Sequence, residues 1–211
     1  MSALPQPLPL EVFEERGLRR GVERPEAPTA WQLEAFEGRW SEISGGRDTS
    51  ALTMTFRLVY EAQRAGEPVA WVQLRTSSFF PPDVADSGVD LQALAVVWVD
   101  GALQAARVAD HLLRSGGFGL IVLDLGMQAR LPLRAQTRLV GLAKKHATAL
   151  LCITEKEPAE PSIGSLVSLR AQARRSSSQG NFRCKAEIVK DKRRGPGWSH
   201  REVCRGPDGL R

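Results

Sequence analysis

Short apolar runs that alternate with amphipathic stretches are the feature of this sequence that most restricts its fold. Four runs have the length and composition of strands buried on both faces of a parallel sheet. They occupy 69–74, 94–99, 120–125 and 149–154. Apolar residues recur at helical spacing over 100–115, with Leu103 predicted to face inward, and over 132–146. This alternation predicts an α/β fold, with a mostly parallel sheet flanked by helices.

The residues before these runs predict one more strand and two helices. Residues 40–44 (WSEIS) have the pattern of a strand, and residues 51–65 have that of an amphipathic helix. A shorter helix is predicted at 30–37, because Thr29 and Gln32 form a capping box.

Beyond residue 154 the apolar residues alternate instead of following a helical period. Residues 166–173 and 182–190 both alternate, and turn-forming residues at 176–181 join them. This pattern predicts an antiparallel C-terminal hairpin that extends the sheet. Residues 201–205 have the pattern of a further edge strand.

Three segments follow from this organisation. They are an N-terminal extension with a short helix at 1–28, an α/β domain at 29–205 and a tail at 206–211. The proline-rich extension contains a short apolar arm, formed by Leu10, Val12, Phe13 and Leu18. The arm is predicted either to contact a partner or another copy of the chain, or to fold back over its own core.

Charge is distributed unevenly along the 211 residues. Residues 1–150 contain 16 basic and 17 acidic residues, whereas 151–211 contain 13 and 7, so the net charge of +5 arises in the C-terminal third. The window 170–194 contains nine basic residues against Glu187 and Asp191. Its predicted binding residues are Arg170, Arg174, Arg175, Lys185, Lys190, Lys192, Arg193 and Arg194. Nucleic acid, an acidic protein surface and solvent alone remain open as their surroundings.

Composition argues against several classes of protein. The apolar runs are shorter than the roughly 18–20 residues of a membrane span, and the proline-rich start lacks the pattern of a secretory signal. Three widely spaced cysteines, at 152, 184 and 204, predict a reducing cytoplasm with neither disulfide nor metal site. No histidine is placed beside an acidic partner, so no catalytic residue and no cofactor are predicted.

The loop GGRDTS stands where an α/β core carries a phosphate-binding loop, G-x-x-x-x-G-K-[ST]. Aligned from the first of Gly45 and Gly46, the pattern meets Ser50, Ala51 and Leu52 at its second glycine, lysine and hydroxyl residue. Ser50 adds a Cβ where phosphate must approach, Ala51 has no ammonium group and Leu52 has no hydroxyl for Mg²⁺. The prediction is a degenerate loop that holds an anion weakly through its backbone N–H groups.

Asp124 ends the apolar run LIVLD. This position is that of the carboxylate on the Mg²⁺ side of P-loop ATPases. An Asp at the end of a buried strand also serves as a turn or cap residue, which is the preferred interpretation here.

Five segments, in order, resemble the core of the RecA recombinase over residues 38–209. They are GRWSEISG, YEAQRAGEPVAWVQL, PPDVADSGVDLQAL, ADHLLRSGGFGLIVLDLG and KAEIVKDKRRGPG. The resemblance implies a RecA-like fold with altered chemistry. The carboxylate that orients the attacking water in that family falls at Arg75, and the DNA-binding loop after the fourth strand is reduced to EKEPAEPSIGS.

Among shortened RecA-like proteins, the sequence is most similar to the ImuA family, in a form without a working Walker motif. That resemblance implies a non-catalytic accessory protein of SOS-induced translesion DNA synthesis, cytoplasmic and associated with the nucleoid. Its implied partners are an ImuB-like protein, RecA, an error-prone replicative-type polymerase subunit and single-stranded DNA. The SulA family of division inhibitors, which bind a tubulin-like protein, is the alternative relative, and a residual DNA-dependent ATPase is the alternative activity.

Overall fold

The computed structural model describes residues 31–46, 49–77, 84–85, 87–127, 130–178 and 181–205. The predicted extension at 1–28, its arm residues Leu10, Val12, Phe13 and Leu18, and the tail at 206–211 lie outside the described residues. The part of the chain that is described contains eight strands, three α-helices and one 3-10 turn at Leu33–Ala35.

The strands form one sheet. They are β1 (Trp40–Ser44), β2 (Val69–Leu74), β3 (Leu94–Val99), β4 (Leu120–Asp124), β5 (Ala149–Thr154), β6 (Leu169–Ser178), β7 (Asn181–Asp191) and β8 (Ser199–Arg205). Their order in the sheet is β3-β2-β4-β5-β1-β6-β7-β8. Strands β1 to β6 are parallel, and β7 pairs antiparallel with both β6 and β8. The predicted α/β fold with an antiparallel C-terminal hairpin is confirmed.

Helices cover both faces of the parallel part of the sheet, as right-handed crossovers require. They are α1 (Ala51–Arg64), α2 (Ala102–Ser115) and α3 (Leu133–Lys145). On the α1 face, Phe56 stacks on Trp71 with 4.6 Å between ring centroids. On the other face, Leu113 of α2 and Leu139 of α3 are buried in a second core. None of the described helices combines the length and apolar character that a membrane crossing requires.

The predicted helix at 30–37 is wrong, because the chain makes only the 3-10 turn there. Trp31 and Phe36 form an edge-to-face pair with centroids 4.8 Å apart, and both are buried. Their packing turns the chain into β1 within a few residues, with Gly38 in the left-handed region at φ +62°. The conformation of this segment therefore follows the packing of the two aromatic rings and not the local capping pattern.

Strand β3 is not buried on both faces, which corrects the prediction from its apolar run. It is the edge strand and pairs only with β2 among the described strands. Trp98 is 46% exposed as a result. Leu103, predicted to face inward from α2, is also exposed.

Candidate functional site

The loop between β1 and α1 lies where a phosphate-binding loop is expected, at the carboxyl end of a central parallel strand. The N–H of Gly45 donates to the carbonyl of Thr154 at the end of β5, over 3.3 Å. The hydroxyl of Ser50 donates to the carbonyl of Arg174 on β6, over 2.9 Å. The described ends of this loop are thus tied to the strands on both sides of β1.

The side chain of Thr49 lies against the backbone at both described ends of this loop. Thr49 Oγ1 accepts a hydrogen bond of 3.0 Å from the N–H of Ala51 at the start of α1. The same oxygen lies where it would clash with a Cβ on Gly45. One N–H at the helix start is therefore already satisfied, and the space over Gly45 is filled.

A negative charge lies beside this loop. Glu157 Oε1 is 2.5 Å from the place where a Cβ on Gly46 would stand. Lys156, which precedes Glu157 in the sequence, directs its ammonium to Glu42 at 3.4 Å and to the carbonyl of Pro161. Ala51 and Leu52 bring neither ammonium nor hydroxyl, so neither residue offsets the repulsion that the Glu157 carboxylate would exert on a phosphate.

Asp124 ends β4 and is almost fully buried. Burial raises its pKa, and the charge of Glu155 adds to this, although a hydrogen bond from the Ser77 hydroxyl acts in the opposite direction. Its partner in register on β2 is Gln73, whose buried amide has no hydrogen-bond partner within the described part of the chain. Among the described residues, the hydrogen-bond partner of the Asp124 carboxylate is thus the Ser77 hydroxyl.

Arg75 lies just past the end of β2 with an exposed side chain. Its Nε donates to Asp100 Oδ1 over 2.9 Å, and both side chains are mostly exposed. A guanidinium group is always protonated in proteins and accepts no proton, so this residue has no means of activating a water molecule.

Arg170 is not part of a surface, which corrects its place among the predicted binding residues. It is 4% exposed, and its guanidinium group donates to the carbonyls of Glu157 and Glu160. Glu42 on β1, fully buried, accepts from the Thr154 hydroxyl over 2.8 Å. These buried polar side chains hold the segment between β5 and β6 against the sheet. Sequence reasoning missed Glu42, because three of the five residues of WSEIS are polar and the sequence gives no sign that this carboxylate is buried.

Apart from Arg175, the remaining basic residues separate into two groups. The first group lies at the end of β7 and in the turn that follows, and we call it the turn group. Its members are Lys190, Lys192, Arg193 and Arg194. Lys192 donates to the carbonyl of Ser165 over 3.0 Å, and Arg193 to that of Glu37 over 2.9 Å. The Arg194 guanidinium lies over the Trp198 ring at 5.0 Å. These contacts fix the turn to the body of the protein.

The second group lies on the face of β6, β7 and β8 that is turned away from α1, which we call the sheet face. Register places Arg174 opposite Lys185, and Lys185 opposite Arg201. Three cations therefore stand abreast on strands about 4.8 Å apart. Arg183 follows on the same face, whereas Arg175 belongs to the opposite face and lies over the Phe182 ring at 4.8 Å.

This arrangement is unfavourable for the fold on its own. Like charges directly opposite each other on neighbouring strands destabilise a sheet. Lys185 has one counter-ion, Glu187 at 3.0 Å, whereas Arg174, Arg183 and Arg201 form no ion pair among the described residues. Sequence reasoning missed Arg183 and Arg201 as site residues. Arg183 could have been found, because it alternates with inward-facing residues in a predicted strand.

Comparison with known proteins finds relatives of the parallel part of the sheet. Residues 34–141 match the family model of the RecA N-terminal domain. The chain is 33% identical over 138 residues to Protein RecA of Nocardioides sp., a match that covers 56% of this chain and 39% of that protein. It is also 33% identical to Protein RecA of Leifsonia xyli and 29% identical to that of Fusobacterium nucleatum.

The matches have clear limits in length. The chain spans less than two fifths of the length of these relatives. The family match begins just before β1 and ends within α3, so the strands that carry the sheet face lie beyond it.

Proposed function

We propose that this chain, which belongs to the RecA N-terminal domain family, is a non-catalytic accessory protein of DNA-damage tolerance that binds nucleic acid. The observation that carries the proposal is the row Arg174–Lys185–Arg201 on the sheet face. A row of cations that costs the fold stability is explained by an anionic ligand that neutralises it.

The proposed absence of catalysis is supported by the loop between β1 and α1. Thr49 takes the N–H of Ala51, and the Glu157 carboxylate lies against Gly46. Arg75 has no proton-accepting group at the position of the family's carboxylate. A loop that lacks the motif's lysine and its Mg²⁺-binding hydroxyl residue, with no base at position 75, favours neither tight nucleotide binding nor hydrolysis.

Nucleic acid is favoured over an acidic protein as the ligand of the sheet face. The face combines guanidinium groups with the exposed hydroxyl residues Ser176 and Ser199, which are donors typical of phosphate contacts. Its large apolar side chains are two valines, Val189 and Val203, and aromatic anchors typical of protein hot spots are absent from its described residues. Phosphate contacts, rather than base stacking, are expected to supply the affinity.

The test is a titration of a fluorescein-labelled 20-nucleotide oligo(dT) across a salt series. For Arg174→Glu/Arg201→Glu we expect at least a tenfold loss of affinity and a salt slope smaller by about 1.4, because about 0.7 is lost per contact with single strands. The matched control is Arg57→Glu/Arg64→Glu, on the exposed side of α1, with the same change in charge. Unchanged affinity in the sheet-face variant, or loss only in Arg193→Glu/Arg194→Glu, would contradict the proposal.

The cellular role is proposed from the resemblance to the ImuA family. In that role the protein links an ImuB-like protein, RecA and an error-prone polymerase subunit during translesion synthesis at the nucleoid. Affinity purification from cells after ultraviolet damage, with mass spectrometry, tests it directly. Recovery of a tubulin-like division protein without any polymerase component would overturn this role in favour of a division inhibitor.

A further inference from the structure

A second basic surface lies on α2 and α3, in the part of the chain whose total charge is near zero. Residues 102–146 contain seven arginines and lysines but only two carboxylates, of which Asp124 is buried. The other carboxylate, Asp110, is bound by two guanidinium groups, those of Arg114 and Arg138. The outer side of these helices therefore has a clear excess of positive charge.

Helix electrostatics accounts for only some of these cations. Arg114, Lys144 and Lys145 lie in the last turns of their helices, where the helix dipole favours a cation. Arg134 lies in the first turn of α3, where the dipole disfavours one, and neither α2 nor α3 has an acidic residue in its first turn. Arg107 and Arg134 are exposed and form no ion pair among the described residues.

Exposed apolar side chains accompany these two arginines. Leu103, Met127 and Leu133 are 49%, 67% and 61% exposed. Leu103 and Leu133 lie in the first turns of α2 and α3, which run side by side and are joined by the Asp110–Arg138 ion pair. Met127 follows β4 at the same edge of the sheet. A group of large exposed apolar residues at one edge is typical of a surface that contacts another molecule.

We infer that this surface, formed by Leu103, Arg107, Met127, Leu133 and Arg134 and called the helix face, binds a protein segment that carries acidic residues beside apolar ones. Arginine forks select carboxylates, and the leucines and methionine supply the apolar contact that a protein hot spot needs. A nucleic-acid backbone would use the arginines but leave the three apolar side chains in water. This binding does not require that the sheet face binds DNA, and it gives an accessory protein a second, separate surface.

The probe is a fluorescein-labelled 14-residue helical peptide with leucine on one side and glutamate on the other. Its matched partner carries glutamine in place of glutamate. By fluorescence anisotropy we expect micromolar affinity for the glutamate peptide and at least tenfold weaker binding of the glutamine peptide. Arg107→Glu/Arg134→Glu should lose at least tenfold in affinity for the glutamate peptide. Leu133→Ser should weaken both peptides, whereas Arg57→Glu/Arg64→Glu should weaken neither.

The variants also separate the two surfaces. Equal binding of the glutamate and glutamine peptides, or unchanged binding by Arg107→Glu/Arg134→Glu, would contradict the helix face as an acidic-segment site. Loss of oligo(dT) binding in Arg107→Glu/Arg134→Glu would instead assign nucleic acid to this face and overturn the inference. Loss of oligo(dT) binding confined to Arg174→Glu/Arg201→Glu, with peptide binding retained there, is the result expected if both surfaces act as assigned.

Discussion

The guanidinium group of Arg39 donates a 2.7 Å hydrogen bond to the carboxylate of Asp191, which joins the start of β1 to the end of β7 across 152 positions of the sequence. Both side chains are buried. Arg39 also donates to the hydroxyl and carbonyl of Ser168, and Asp191 accepts from the N–H of Arg193 and the indole of Trp198. The basic hairpin is thereby fixed to the parallel sheet by a fully hydrogen-bonded ion pair.

Removing one partner of this pair should destabilise the protein strongly. For Asp191→Asn we expect a loss of about 3–5 kcal/mol in the free energy of unfolding, since an unpaired guanidinium remains buried. The matched control is Asp100→Asn, which breaks the exposed pair with Arg75 and should cost less than about 1 kcal/mol. Urea denaturation followed by tryptophan fluorescence measures both, and similar losses in the two variants would contradict a special role for the buried pair.

The same pair makes stability depend on pH. Burial alone would raise the pKa of Asp191, but the hydrogen bonds from Arg39 and from the N–H of Arg193 outweigh it and lower the pKa. A carboxyl group with a lowered folded pKa contributes stability above its unfolded pKa of about 3.9 and loses it as the pH falls through the folded pKa. Urea denaturation from pH 7 to pH 3 should therefore show a decline below about pH 4 that is smaller in Asp191→Asn. A decline of the same size in both proteins would show that other carboxyl groups cause it.

The local sequence pattern predicted the bounds of the strands well, but it predicted the burial of individual side chains less well. The bounds of β2, β3 and β5 follow from apolar runs that end at polar or turn-forming residues. The exposure of Trp98 does not follow from its run, because only the order of strands in the sheet decides that β3 lies at the edge. Leu103 likewise has the helical spacing of a core residue, but its side chain is 49% exposed.

Two glycines in the left-handed region provide a matched pair for testing packing. Gly66 and Gly116 follow α1 and α2 with φ of +77° and +67°. A Cβ on Gly116 would lie 2.7 Å from His146 Nδ1, whereas nothing stands within 4 Å of one on Gly66. Gly66→Ala should cost about 1–2 kcal/mol through backbone strain alone, and Gly116→Ala should cost more because it also displaces the imidazole. Thermal unfolding measures both, and equal losses would contradict the packing contribution.

The sequence alone does not predict which basic residues come together on each candidate surface. Alternation along β7 assigns Arg183 and Lys185 to one face, but the register that brings Arg201 beside Lys185 is set by pairing with β8. Arg170 is buried near the start of β6, where the strand pairing shifts register between Arg170 and Ala171. This shift cannot be predicted from the alternation of residues along the strand. Charge summed over 1–150 concealed the helix face, because most of the acidic residues that balance it lie outside 102–146 in the sequence.

The three thiols should react slowly in the folded protein. Burial raises the pKa of Cys152 to about 12, and burial also raises the pKa of Cys184 and of Cys204. Because the thiolate is the nucleophile, little of it is present at pH 8. Dithionitrobenzoate should label less than one thiol per chain within minutes at pH 8, and three after unfolding in guanidinium chloride. Rapid labelling of one thiol that disappears in Cys204→Ser would show that the edge strand β8 exposes its cysteine.

Nucleotide binding is the property that the proposed loss of catalysis most directly affects. Titration with a fluorescent ATP analogue and Mg²⁺ should show no binding tighter than about 10 µM, equivalent to about 7 kcal/mol. Neutralising the carboxylate beside Gly46 with Glu157→Gln should strengthen the weak binding severalfold, because it removes repulsion without adding a cation. Glu34→Gln, a neutralisation on an exposed residue before β1, should leave it unchanged. Tight binding by the unaltered protein, or release of phosphate above the background rate, would show that the loop still functions and that the residual ATPase is the correct interpretation.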